Sequence, residues 1–172
     1  IAAGSYGATE QVSLALHGMG LSIGDVDAGG ASLTATLSVV SGTLTVNAGT
    51  TGVTVGGSGS GSVTLTGTLA QINDLLAGNL GASASYLITS DTPPGSDTLT
   101  LSVNDGGNTG SGGAQSGSAN VTINIGAVND APSFAKDGDQ QVLEDSGTNT
   151  VPTWATLISA GPAYVVGQVL TF

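Results

Sequence analysis

The chain has 172 residues, enough for one domain and a remainder, and its one basic residue against twelve acidic ones gives a formal net charge of −11. This balance disfavours nucleic acid as a partner, because neutralising phosphates requires Lys and Arg, and it favours a metal cation, although a solvated acidic surface alone also explains it. The absence of cysteine excludes disulfides, thiolate metal sites and cysteine catalysis.

Two further exclusions concern processing and membranes. No run of 18 apolar residues occurs, so we expect no membrane insertion. No signal peptide is visible and the first residue is Ile1 rather than Met, which indicates a processed product or a segment of a longer protein.

The first third of the chain shows the two-residue alternation of strands that bury one face. Residues 11–17 alternate, with His17 on the polar side, where we expect it to be solvated. Residues 32–46 alternate most clearly and predict a β-hairpin that turns at Ser41-Gly42. Short strands follow within residues 53–65, joined by a Gly/Ser loop that lacks the spacing of a phosphate loop and is expected to be flexible.

A short helix then interrupts the strand pattern. Thr68 precedes Gln71 by three residues, the spacing of a capping box, and apolar residues at helical spacing follow. Gly78 is placed to end the helix after about two turns. The strand pattern resumes at residues 84–88 and ends before the double proline Pro93-Pro94, which marks a turn.

Two alternating segments close the first domain. Residues 99–103 lead into Asp105 and a glycine-rich loop, and residues 121–125 lead into Asn129-Asp130. We therefore predict two more strands that end in oxygen-rich groups.

The composition changes beyond Pro132. The remainder holds four of the six aromatic residues and is too small to bury a core by itself. Residues 154–158 predict one helical turn, and residues 163–172 predict a bent strand or a strand pair.

The segment that runs from Asp105-Gly106-Gly107 through a loop and a strand to Val128-Asn129-Asp130-Ala131-Pro132 carries a family resemblance. It resembles the last hairpin and linker of a cadherin-type repeat, and more closely the bacterial cadherin-like repeats strung in tandem in giant surface adhesins and other large repetitive secreted proteins. The resemblance covers residues 10–134 as one nearly whole repeat, and residues 131–172 resemble the opening of a second.

Pattern and resemblance together predict an all-β fold. We expect a Greek-key β-sandwich of seven to nine strands with one short helix over residues 1–130. Residues 131–172 are then a partial second repeat or a strand-donating tail.

Carboxylates at strand ends are the candidate metal ligands. Asp25 and Asp27 are followed by glycines, in a turn that can aim both carboxylates one way or that is an ordinary Asp-Gly turn. The family carries a calcium-ligating Asp-x-Asp motif at this place, so the resemblance implies calcium. It implies one pole toward the preceding repeat, formed by Asp25, Asp27 and Asp105. It implies a second pole toward the following repeat, formed by Glu10, Asn129 and Asp130 and joined by acids of that repeat, for which the candidates are Glu144 and Asp145.

The chain departs from the cadherin pattern in two ways. The glutamate motif in the middle of the domain is not evident, and the linker lacks an extra Asp and Asn. The number of calcium ions is left open by these differences.

Three function classes follow. Catalysis is disfavoured, because the single histidine is placed on a solvent face, Arg and Cys are lacking, and the acids cluster with glycines rather than with aromatics. The favoured class is a structural repeat unit of an extracellular bacterial adhesin, fibre or matrix protein, whose partners are neighbouring repeats or other copies joined head to tail through residues 131–172. The alternative is an adhesion domain that binds a carbohydrate or protein ligand.

Overall fold

The structure, a computed structural model, describes residues 4–107 and 112–161. The chain divides into two units, Ile1–Ala127 and Val128–Phe172, close to the boundary expected at residue 130. The described residues form an all-β fold with one short α-helix, which confirms the predicted fold class.

The first unit is a sandwich of two sheets. The larger sheet has the strand order β1-β9-β8-β3-β6-β5 and the smaller one β2-β7-β4. All neighbouring strands are antiparallel except β1 and β9, which are parallel. The strands are β1 (Ser5–Thr9), β2 (Leu14–Ala15), β3 (Ser32–Ser38), β4 (Thr43–Asn47), β5 (Thr54–Gly56), β6 (Ser62–Thr68), β7 (Ser83–Leu87), β8 (Ser96–Asn104) and β9 (Ser116–Gly126).

The core of this unit follows from the alternation in its strands. Successive strand residues point to opposite faces, so each strand sends every second side chain inward. Thr and Ser on the outer face of β3 and β6 alternate with buried apolar residues. One continuous cluster of buried apolar side chains joins both sheets and the helix, and Tyr86 is the largest fully buried side chain in it.

The helix α1 (Leu69–Ala77) has the predicted ends. Gln71 N donates to Thr68 Oγ1 at 3.3 Å and Thr68 N donates to Gln71 Oε1 at 2.9 Å, which completes the capping box. Gly78 ends the helix with a left-handed φ of 79°. A Cβ at this position would lie 2.7 Å from Cδ2 of His17, so both the backbone angle and the packing require glycine. A single 3-10 turn, Asn79–Gly81, follows.

The predicted hairpin over residues 32–46 is wrong. Its two strands exist, but β3 pairs with β6 and β8 in the larger sheet, whereas β4 pairs with β7 in the smaller one. Residues 39–42 carry the chain across the sandwich. Alternation reports which face of a strand is buried and does not report its partner, so a crossover between sheets produces the same pattern as a hairpin.

The start of the chain also differs from expectation. Residues 5–9, which have no strong apolar pattern, form β1, with Tyr6 and Ala8 buried between small residues. The predicted strand at residues 11–17 is reduced to β2, because Gln11 takes a positive φ of 59° and Val12 is exposed.

The second unit contains the antiparallel strands β10 (Ser133–Lys136) and β11 (Ala155–Ser159). The helical turn predicted at residues 154–158 is therefore wrong, since β11 occupies most of it. None of the described residues of this unit is buried, as its small size predicted. The strands predicted at residues 163–172 lie outside the described residues.

Candidate metal site at the strand ends

Asp25 and Asp27 belong to a tight turn that leads into β3. Asp25 Oδ1 accepts hydrogen bonds from the backbone N–H groups of Asp27 and Ala28, each at 3.1 Å. This is an Asx-type turn, in which a carboxylate replaces a backbone acceptor. Ala28 is buried and anchors the turn on the core, while Asp25 stays half-buried and Asp27 exposed. The ordinary-turn interpretation is thus correct for Asp25, and it does not compete with a role in metal binding.

Asp105 follows β8 and closes the base of the glycine-rich loop. Its Oδ1 accepts from Gly107 N at 2.8 Å and from Gln115 N at 2.7 Å, and its own N–H donates to Gln115 O at 3.1 Å. These backbone hydrogen bonds lower the pKa of the Asp105 carboxyl, because they favour its charged form. Asp105 is therefore held as a carboxylate at the end of the strand.

Asp25 and Asp27 are neighbours in the turn that leads into β3, and the charge of Asp105 also acts on Asp27. Hydrogen bonding to the Asp25 carboxyl raises the pKa of Asp27, and lost hydration and the negative charges of Asp25 and Asp105 raise it further. The strand register agrees, since Thr34 near the start of β3 pairs with Asn104 at the end of β8. Like charges held close together are relieved by a proton or by a cation.

The side chains alone do not complete a metal site. Among the described residues, no three carboxylate or imidazole groups are close enough together to hold a metal ion. Calcium takes six to eight oxygen ligands, including backbone carbonyls and water. Asp25 and Asp27 could contribute at most a pair of carboxylate ligands to such a centre.

The residues predicted for the second pole fall in different units. Glu10 follows β1, its side chain is buried, and its N–H donates to Gly126 O at 3.0 Å at the end of β9. The eleven residues of β9 separate this end of the sheet from Asp105 by roughly 33 Å. In the second unit, Asp130 is half-buried and three residues are exposed: Asn129, Glu144 and Asp145. This pole stays a prediction.

The prediction for His17 is wrong. Its Nδ1 lies 2.9 Å from Ala84 O and accepts from Ala84 N at 3.2 Å, and its ring packs on Gly78. The imidazole thus contacts the backbone N–H and C=O of Ala84 in β7, which a neighbouring strand would otherwise bond. It is a structural side chain rather than a solvated one.

Asp97 is a structural carboxylate that the sequence analysis missed. It is buried in β8, where Oδ1 accepts from Val40 N at 3.0 Å and from Thr98 N at 2.7 Å. Its Oδ2 accepts from Ser41 N and from the Tyr86 hydroxyl, both at 3.0 Å. Asp97 thereby fastens the crossover between the sheets to both of them.

The same contact affects Tyr86. Burial raises the pKa of the Tyr86 hydroxyl, and the hydrogen bond and charge of Asp97 raise it further. The sequence did contain a signal for Asp97. Asp97 lies two and four residues before the buried Leu99 and Leu101, so its side chain points to the same, inward face of β8.

Comparison of the chain with protein-family models, with curated proteins and with solved structures finds no match in any of the three. Within the described part of the chain, no helix has the length and apolar character needed to cross a membrane.

Proposed function

We propose that this chain is a non-catalytic structural repeat unit of an extracellular bacterial adhesin, fibre or matrix protein, and that calcium rigidifies it at the ends of the sandwich. The observation that carries the proposal is the Asp25–Asp27 carboxylate pair, in which a hydrogen bond to Asp25, lost hydration and repulsion by the Asp25 charge raise the pKa of Asp27. A chain with one base and twelve acids offers few cations of its own to relieve that repulsion.

In this proposal calcium replaces the missing positive charge. The core-anchored turn presents Asp25 and Asp27 at one end of the larger sheet, near Asp105. An ion bound there also takes oxygen ligands from the preceding repeat and stiffens the joint between them. Glu10, together with the linker residues Asn129 and Asp130, serves the joint with the following repeat.

Calorimetric titration tests this proposal. We expect calcium to bind the wild-type chain, and Asp27→Ala to weaken binding by removing a ligand of the first pole. Asp91→Asn is the matched control, because Asp91 contacts Gln11 at the opposite end of the sandwich. The proposal is wrong if calcium releases no binding heat and the melting curves in chelator and in millimolar calcium also coincide.

Self-assembly is the second part of the proposal. The second unit buries none of its described residues, although Phe134, Leu157 and Ile158 are apolar and exposed. A neighbouring copy or a neighbouring repeat can cover such a surface. Deletion of residues 131–172 should abolish assemblies seen by electron microscopy, and unchanged assemblies from the truncated chain would rule out this connection.

One observation favours the alternative of a carbohydrate-binding domain. The rings of Phe134 and Trp154 lie 6.5 Å apart at 42°. A groove of about 600 Å³ beside Trp154 is also lined by Asp139, Gln140 and Asn149. Apolar and aromatic surface with a few polar groups is typical of ligand sites. Saturation-transfer NMR with a panel of oligosaccharides, with Trp154→Ala as the control, tests this second candidate.

A further inference from the structure

Among the described residues, the first half of the strand β9 is paired on one side only. Its first part, residues 116–120, pairs with β8, but β1 begins at Ser5 opposite Thr122. The chain bends at Gly4, and no other described strand lies along this part of β9. All five residues are exposed. This free edge carries no charge and no proline, the features that normally prevent strand addition.

The hydrogen-bond pattern shows which backbone groups the free edge offers. Asp105 N donates to Gln115 O at one end of the β8–β9 pair, and Ile125 N donates to Gly95 O at the other. In an antiparallel pair, residues that bond the partner alternate with residues that do not. The N–H and C=O groups of Ser116, Ser118 and Asn120 therefore point away from β8, toward the free edge.

A groove lies beside this edge. It has a volume of about 190 Å³ and is lined by Ile23, Leu101, Val103 and Ala119, among others. Asn73 holds its wall in place, since the Asn73 amide accepts from Ile23 N at 2.9 Å and donates to Ile23 O at 3.0 Å. The volume exceeds the roughly 150 Å³ in which an apolar cavity holds benzene, so an apolar side chain fits.

The edge of β4, unlike the edge of β9 at residues 116–120, is covered. Residues 58–60 of the same unit cover it, with Leu44 N donating to Ser60 O at 2.7 Å and Val46 N donating to Ser58 Oγ at 2.9 Å. The edge of β4 is thus covered by a loop of its own unit. No described strand covers the edge of β9 at residues 116–120, which adjoins an apolar groove.

We propose that the free edge at residues 116–120 is the acceptor site for a strand formed by residues 163–172 of a second copy of this chain. The inference rests on the proposed self-assembly and names the surface that it uses. Residues 163–172 carry no charge and no proline, and most of them are apolar or β-branched. Donor and acceptor are both uncharged in a chain of net charge −11, so repulsion is weakest here. Main-chain hydrogen bonds supply affinity, and an apolar side chain fills the groove.

A labelled peptide of residues 163–172 tests the proposal. We would titrate the full chain into the peptide and follow fluorescence anisotropy. Ser118→Pro removes an N–H that points away from β8, so the β8–β9 pairing is kept while the edge loses a donor and gains a steric block. We expect it to weaken binding at least about tenfold. Ser118→Ala keeps the N–H and should bind like wild type.

A second variant tests the groove without altering the backbone. Ala119→Leu fills the groove and should also weaken peptide binding, so the proposal remains testable if Ser118→Pro fails to fold. Absence of wild-type binding, or equal binding by all folded variants, would overturn the proposal. The calcium response of the same samples reports separately on the proposed function, because an intact calcium response without peptide binding leaves that function standing.

Discussion

Replacing Asp97 by alanine removes four hydrogen-bond acceptor contacts at once. Their donors are Val40 N, Ser41 N, Thr98 N and the Tyr86 hydroxyl. A hydrogen bond to a charged group contributes about 1.5–3 kcal/mol, but the values do not add, and Val40 is exposed enough for water to replace part of the loss. The Tyr86 hydroxyl, fully buried, loses a partner that water does not easily replace. We therefore expect Asp97→Ala to lower the free energy of unfolding by about 3–5 kcal/mol.

Two further variants divide this loss between the contacts. Asp97→Asn keeps one acceptor oxygen but turns an amide N–H₂ toward two donors, and we expect about 2–3 kcal/mol of destabilisation. Tyr86→Phe removes only the hydroxyl and should cost about 1–2 kcal/mol. The double variant should cost less than the sum, because both changes remove the same hydrogen bond.

Urea unfolding followed by circular dichroism measures these differences as shifts of the midpoint at constant slope. A loss below about 1 kcal/mol for Asp97→Ala with an unchanged slope would refute the view that Asp97 fastens the crossover.

Three other predictions concern the helix and the pH response. Thr68→Ala breaks the capping box and should destabilise the chain by about 1 kcal/mol in urea unfolding, with an unchanged midpoint contradicting the cap. Asp105→Ala should lower the free energy of unfolding at pH 7, and the difference should shrink as the pH falls below about 4 and vanish only below the lowered pKa of the folded chain. The reason is that a lowered pKa gives stability above the unfolded pKa of about 3.9 and loses it as the pH falls through the folded value. Light scattering should rise as the pH approaches the isoelectric point of about 4.1, and a flat signal from pH 7 would refute charge-dependent solubility.

Alternation and capping signals were enough to predict most elements of the first unit. The capping box at Thr68 and the hairpin of β8 and β9 are local features, so the sequence reports them directly. The partners of β3 and β4 depend on contacts between distant residues, which alternation does not encode. β1 was missed because Ser, Gly and Ala give weak apolar contrast, although its pairing with β9 is regular.

The candidate site was predictable only in part, for a similar reason. Turn chemistry indicated Asp25 and Asp27, and strand-end position indicated Asp105. That the charges of Asp25 and Asp105 both raise the pKa of Asp27 became visible only in the fold. Asp97 was missed, because its partners Val40 and Tyr86 are distant in sequence.

The measurement that tests the central claim most directly is a thermal scan of wild type and Asp27→Asn at pH 7, in chelator and in millimolar calcium. Because the pKa of Asp27 is raised on folding, the folded chain favours the protonated form of Asp27. The stability that Asp27 contributes is therefore present below its unfolded pKa and is lost as the pH rises through its folded pKa. Asparagine carries no charge. In chelator, Asp27→Asn should therefore melt above wild type. In calcium, wild type should rise above the variant, because a carboxylate binds calcium more tightly than the neutral amide of the variant does, so calcium stabilises the wild-type chain more. Equal calcium shifts for both chains, or none for either, would contradict calcium binding at the Asp25–Asp27 pair.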